Sequence, residues 1–150
     1  GYDGSAVQAA AYGGGENSVN LLLEKGWSID VNYRISYSAG ALQSAAGGGH
    51  QSIVELLLEK GASLQLNNGY YDTVLQAAAE HGHESLVRMM LDMGFHPDAE
   101  EGYNEISLQA ASAEGHQSVV ELLLEKRADA NRRSGFFGTA LQNVCSEVAP

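Results

Sequence analysis

One glutamine returns along the whole chain at a nearly constant interval, and this repeat restricts the fold more than any other feature. Successive copies are 35, 33, 33 and 33 residues apart. An apolar block (LLLE or MMLD) begins 13 residues after each of the first four copies. Two short apolar blocks per unit of about 33 residues are typical of one helical unit stacked on copies of itself, in which neighbouring units complete each other's core. The copies are Gln8, Gln43, Gln76, Gln109 and Gln142.

Within each unit the apolar residues predict two short helices joined by a turn that contains glycine, which in the second unit is Gly47-Gly48-Gly49. In the fourth unit, Leu108 and Ala111 lie three residues apart on one helix face. We expect Val120, Leu123 and Leu124 to form the buried face of the helix that follows. Alanine recurs on the first helix of every unit, and a larger residue there would force the units apart.

Composition excludes several kinds of partner. The chain has 150 residues, with 19 acidic against 8 basic residues and a formal charge of −11. This charge argues against binding to nucleic acid, which requires Lys and Arg, and against docking on an anionic membrane. No apolar run approaches the roughly 18 residues of a membrane helix. The single Cys145 cannot form an intramolecular disulfide, and we expect an intracellular, cytoplasmic monomer. The opening at Gly1, without an initiator Met, indicates a piece excised from a longer array.

Three segments resemble ankyrin repeats: QAAAEHGH at 76–83, ELLLEKGAS at 55–63 and GTALQ at 138–142. The resemblance implies an all-α solenoid of helix–turn–helix units with β-turn or hairpin fingers between them. Glutamine stands where the family has histidine, the usual proline is absent, and the fingers with GYY, GYN and GFF have glycine followed by an aromatic residue in place of aspartate–glycine. The TALQ style is similar to ankyrin arrays of fungal multidomain proteins, including NLR-type immune receptors. We divide the single array into units 1–32, 33–67, 68–100 and 101–131, with a partial unit or cap at 132–150.

The histidines do not predict a metal site or an enzyme. His50, His83 and His116 recur at 33-residue spacing, and copies related by translation cannot converge on one zinc ion. The resemblance implies instead that each ties its turn to the neighbouring unit. His81 and His83 form a His-x-His pair, but a solvated helix end is the better interpretation because no further ligand converges there. No nucleophile has a histidine and a third orienting group, so we expect no catalysis and no cofactor.

The resemblance implies a non-catalytic module that binds a protein or peptide through its fingers and a concave face. Residues that vary within the repeated frame are the candidates, although drift at exposed sites looks the same. The concave positions are bare in the first two units and acidic in the next two, which favours a basic partner or simply a soluble surface. The recurring aromatic residues of the fingers could pack finger against finger or could contact a partner. The second unit's finger has two extra residues, which could belong to a binding loop or be a tolerated insertion. The candidates are Tyr12, Arg34, Tyr37, Tyr71, Asp72, Glu80, His81, Asn104, Glu105 and Glu114.

Two alternatives to an intermolecular binding module remain open. The array could be an intramolecular sensor or spacer within a larger receptor. More remotely, His81 and His83 could belong to a metal-binding protein or an enzyme fragment.

Overall fold

A computed structural model describes residues 6–25, 40–62, 74–95, 97 and 107–131. Within them the chain forms eight α-helices and no strand, in pairs of one seven-residue and one nine-residue helix. The fingers between units and the partial unit 132–150 lie outside the described residues, so the predicted unit boundaries stay predictions. The helices are α1 (Ala6–Tyr12), α2 (Glu16–Glu24), α3 (Ala41–Gly47), α4 (Gln51–Glu59), α5 (Val74–Glu80), α6 (Glu84–Asp92), α7 (Ser107–Ala113) and α8 (Gln117–Glu125).

The helices form two parallel rows, as the repeat predicts. The first helices of the units stack in the order α1, α3, α5, α7, and each also packs against its own second helix. The first-helix row is the more tightly packed of the two. Its alanines explain this, because a methyl side chain lets helix backbones approach closely. Six of them have no exposed surface: Ala11, Ala45, Ala46, Ala78, Ala79 and Ala111.

Each second helix presents one apolar side to the preceding unit and another to the following unit. Leu21 of α2 is 53% exposed, whereas its counterpart Leu122 of α8, which has a described unit before it, is 2% exposed. On the side that faces the following unit, the third unit's helix is the covered one and the fourth unit's helix is the exposed one. Leu91 of α6 is 8% exposed and covered by the fourth unit, but its counterpart Leu124 is 44% exposed. The exposure of an apolar residue therefore depends on whether a described unit lies on its side of the helix.

The predicted core face of α8 is wrong by about one residue. Val119, Leu122 and Leu123 are the buried residues of this helix, while Val120 is half-buried and Leu124 is exposed. The physical reason is the two-sided contact: the side of α8 toward the third unit is covered, and no described unit follows α8 on its other side. The apolar run VVELLL fits helical spacing both with Val119, Leu122 and Leu123 as the buried face and with Val120, Leu123 and Leu124. Periodicity alone could not decide between these two faces.

Left-handed backbone precedes all four second helices and, among the described residues, follows three of them, α4, α6 and α8. The glycine just before its first turn has φ between 73° and 76° in all four units (Gly14, Gly49, Gly82 and Gly115). After the helix, Gly61 and Gly94 have φ of 88° and 94°, which only glycine adopts without strain. In the fourth unit Arg127 takes this place with φ 71°.

Candidate functional site

The candidate site lies where each first helix ends and its turn begins. We call this surface the turn face and define it by two residues per unit, the last of the first helix and the one that follows. It carries four of the sequence-predicted partner-binding residues, Tyr12, Glu80, His81 and Glu114. The full set is Tyr12–Gly13, Gly47–Gly48, Glu80–His81 and Ala113–Glu114.

Three histidines hold the turns of neighbouring units in register. The Nε2 atom of His50 lies 2.9 Å from the carbonyl oxygen of Tyr12, and that of His83 lies 2.7 Å from the carbonyl oxygen of Gly47. His116 makes the same bond, 2.8 Å long, to the carbonyl oxygen of Glu80. A carbonyl oxygen can only accept, so Nε2 carries the proton and donates in each case. The structural role that the resemblance implies for these histidines is confirmed.

The turn glycines leave room for these rings. A Cβ atom on Gly49 would lie 2.6 Å from His83 Nδ1, and one on Gly82 would lie 2.5 Å from His116 Nδ1. A Cβ on Gly48 would collide with the carbonyl oxygen of Tyr12. Glycine is therefore required at these turns for close approach as well as for backbone conformation. The glycine-rich run therefore allows neighbouring turns to pack closely. This role explains the glycines without a phosphate-binding loop.

His81 and His83 do not form a chelating pair. Their rings are parallel, with an interplanar angle of 5° and centroids 6.2 Å apart. His81 is exposed, and its Nδ1 donates to the carbonyl oxygen of Ala77 at 2.9 Å, while the Nε2 of His83 is bonded to Gly47. Across the described residues, no group of three or more His, Cys, Asp or Glu could hold a metal ion.

Tyr12 is the most prominent apolar side chain on the turn face. It is 58% exposed, so the expectation that the first unit is bare at this position is wrong. The ring lies beside Gly47 of the second unit, where a Cβ atom would be 4.0 Å from Tyr12 Cε2 and 3.8 Å from His81 Cε1. Gly47 belongs to α3 and not to the turn. The structure therefore places Tyr12 and His81, from units one and three, on either side of Gly47, which is buried.

Charge is segregated between the two helix rows. In the described parts of the chain, the first helices and the turns after them carry only two formal charges, the carboxylates of Glu80 and Glu114. Every described cation lies on a second helix or just beyond it, at Lys25, Lys60, Arg88, Lys126 and Arg127. The turn face is thus negative, while the second-helix row carries both signs.

Ion pairs also belong to the second-helix row. Lys126 Nζ lies 2.8 Å from Asp92 Oδ1 and joins the third and fourth units, and Arg88 pairs with Glu84 within α6 at 3.0 Å. The hydrogen bond and the charge of Lys126 lower the pKa of the Asp92 carboxyl below its ordinary value. Among the described residues these pairs leave Glu80 and Glu114 of the turn face without a cation partner.

Six predicted binding residues lie outside the described residues and stay predictions. They all belong to the fingers: Arg34, Tyr37, Tyr71, Asp72, Asn104 and Glu105.

Sequence reasoning missed two features next to the turn face. Gly47 was assigned to a three-glycine turn, although its counterparts Tyr12, Glu80 and Ala113 signal a helical position. Gln43 is 1% exposed, and neither atom of its side-chain amide has a hydrogen-bond partner in the described structure. The recurring glutamine served as a landmark, but its burial could not be foreseen without the packing around it.

Comparison with known proteins identifies the fold family. No helix in the described part of the chain is long and apolar enough to cross a membrane. A search of the curated proteins finds no match. The family model for ankyrin repeats (three copies) matches residues 2–68 and 62–134. Ankyrin repeats generally mediate protein–protein interaction, and the proteins that carry them are typically non-enzymatic scaffolds. The eight stacked helices and the match over most of the sequence agree: the chain belongs to the ankyrin-repeat family.

Proposed function

We propose that this chain is a non-catalytic binding module whose turn face and fingers take up a basic protein or peptide segment. The observation that carries the proposal is the segregation of charge. Glu80 and Glu114 are the charged groups of the described turn face, and the described cations are confined to the other row. A surface whose charges have one sign favours ligands of the opposite sign and accelerates their encounter.

The exposed tyrosine supports a recognition role for the same face. Tyr12 is 58% exposed, and burying an aromatic ring against a partner gives a large contact area with little loss of side-chain entropy. Neighbouring carboxylates add mostly association rate and orientation, because rim charges contribute little affinity in water. The tyrosine therefore contributes affinity, and the acidic groups select the sign of the ligand.

A segment of a longer chain that carries this array could be the ligand. In that case the module acts within its own molecule, as a sensor or spacer of a larger receptor, and the TALQ style favours an NLR-like context. The chemistry at the turn face is the same in both cases. Binding of separate peptides measures the affinity of the turn face for such a segment, whether the segment comes from another protein or from the same chain.

The test uses labelled peptides of equal length that are basic, neutral or acidic, with binding followed by fluorescence anisotropy at several salt concentrations. The double variant Glu80→Gln/Glu114→Gln removes two charges from the turn face. Its matched control, Glu59→Gln/Glu125→Gln, removes two from the ends of second helices, where both side chains are exposed.

We expect the basic peptide alone to bind, with an affinity that falls as salt rises. The turn-face variant should weaken it by about two- to thirtyfold, since two exposed pairs of about 0.2–1 kcal/mol each are lost. The control variant should bind like the wild type. Equal losses of affinity in both variants would show that binding depends only on the net charge of the protein and not on the turn face. The proposal would be refuted if the protein did not prefer the basic peptide.

A further inference from the structure

All four described histidines lie in the turns between a first and a second helix. His81 belongs to the turn face itself, and His50, His83 and His116 donate to carbonyl oxygens of turn-face residues. The eight described helices carry no histidine between their first and last residues. Histidine is the side chain that ordinarily changes its charge between about pH 8 and pH 5. In the described chain, a change of charge over this range is therefore concentrated at the turns.

His81 can take up a second proton without losing its hydrogen bond. Its Nδ1 donates to the carbonyl oxygen of Ala77 at 2.9 Å, so the second proton adds at Nε2, and the side chain is exposed. The three histidines that join the units donate through Nε2, which keeps its proton in the charged ring because both nitrogens are then donors. Acidification therefore adds positive charge to the turns while the bonds between units are retained.

The surroundings of His81 are mainly acidic or titratable. Its ring is parallel to that of His83, with the centroids 6.2 Å apart, and His81 is the exposed member of this pair. We therefore assign the first added charge to His81. The helices α3 and α7, which pack on either side of α5, carry no charged residue of their own. The charged or titratable groups at the turn ends of the elements around His81 are Glu80, His83, Glu84, His50, Glu114 and His116.

One proton on His81 cancels half of the formal charge of the described turn face. That charge consists of the carboxylates of Glu80 and Glu114, and Glu80 is the direct sequence neighbour of His81. Protons on the other turn histidines act in the same direction. A basic ligand that is attracted to two carboxylates at neutral pH thus meets a face whose negative charge has been offset at acidic pH.

We propose that the turn face holds its basic ligand at neutral pH and releases it as the pH falls toward 5.5, with His81 as the principal proton acceptor. This rests on the proposed function and adds the regulation of the same face. The array stays folded through the change, because no hydrogen bond between units is lost. Release therefore depends on charge and not on unfolding.

The test measures the affinity of one labelled basic peptide with blocked termini at pH 7.5 and pH 5.5, at constant ionic strength, by fluorescence anisotropy. Exposed carboxylates and basic side chains ordinarily keep their charge between these two values, so histidine provides the change. We expect the wild-type affinity to fall by about two- to tenfold, since one exposed charge changes an affinity by about 1.4- to 5-fold and more than one histidine gains a proton.

The decisive variant is His81→Gln, which is neutral at both pH values. The readout is the ratio of its two affinities, and this ratio should be smaller than that of the wild type by about 1.4- to 5-fold, the share of one charge. The matched control is Glu125→Gln, which changes the net charge by one at an exposed position on a second helix and should keep the wild-type ratio.

Far-UV circular dichroism at both pH values separates release from unfolding, and we expect the same helical signal at pH 5.5. If the basic peptide does not bind at pH 7.5, the proposed function itself fails. If the wild type binds equally well at both pH values, or if His81→Gln keeps the full wild-type ratio, only the pH-dependent release is overturned. Loss of the helical signal at pH 5.5 would also overturn it, because the bonds between units would then not survive acidification.

Discussion

Replacing His83 by alanine tests whether the stack depends on its histidine bonds. The substitution removes the 2.7 Å hydrogen bond to the carbonyl oxygen of Gly47, and a net bond of this kind contributes about 1 kcal/mol. It leaves the carbonyl of a buried residue without its partner, which costs about 1–3 kcal/mol when water cannot replace it. It also empties the space beside Gly49 that the ring now fills. We expect a total loss of about 2–3 kcal/mol, or a melting temperature lower by about 5–10 °C.

His81 provides a matched control two residues away. It has the same side chain and is exposed, but its hydrogen bond goes to Ala77 in its own unit. We expect His81→Ala to change the free energy of unfolding by less than about 0.5 kcal/mol. Urea unfolding followed by far-UV circular dichroism measures both variants. Equal effects at the two positions, or a loss below about 0.5 kcal/mol for His83→Ala, would refute the role of the bond between units.

The other variants probe backbone strain, packing, a buried amide and an ion pair. Arg127→Gly should stabilise the protein by about 1 kcal/mol in thermal melts, because φ is 71° there, and Arg127→Ala, which keeps the strain, should not. Ala78→Leu should lower stability by about 1–3 kcal/mol, since Ala78 has no exposed surface between stacked first helices; an unchanged melt would contradict this packing. Gln43→Met should be neutral or stabilising, because the buried amide lacks partners in the described structure; a loss above about 1 kcal/mol would reveal a bond to the amide. The Asp92 carboxyl should titrate below its ordinary pKa in NMR, so its contribution to stability is present at neutral pH and is lost as the pH falls through that lowered pKa. Lys126→Met should return the pKa toward its ordinary value, and an unchanged pKa would exclude the ion pair as its cause.

The repeat period was enough to predict the two helix rows, and the resemblance to ankyrin repeats implied the role of the histidines. Each depends on relations that recur in every unit, so a single sequence contains several copies of the same evidence. His50, His83 and His116 illustrate this, because their spacing already excludes a shared metal and the structure shows the same bond three times.

The features that differ between units could not be predicted in the same way. Leu124 was assigned to the core on helical spacing alone, which the apolar run of α8 satisfies in two registers, yet it is 44% exposed. Gly47 was assigned to a turn because two more glycines follow it, yet it is helical. The position of Tyr12 beside Gly47 depends on the offset between units, which no local pattern encodes. The candidate site is made of such exceptions, so most of it required the structure.

The histidine bonds give the array a direction. In every described case the imidazole of a later unit donates to a carbonyl oxygen of the unit before it. During synthesis the acceptor therefore leaves the ribosome first, and each new unit brings the donor that fastens it to helices already made. Because a chain emerges at only about 5–20 residues per second, one unit has time to settle before the next arrives. The polarity of these bonds thus matches the polarity of translation. Each histidine finds its acceptor already made, whereas the apolar side that a unit presents to the following unit is covered only after that unit has emerged.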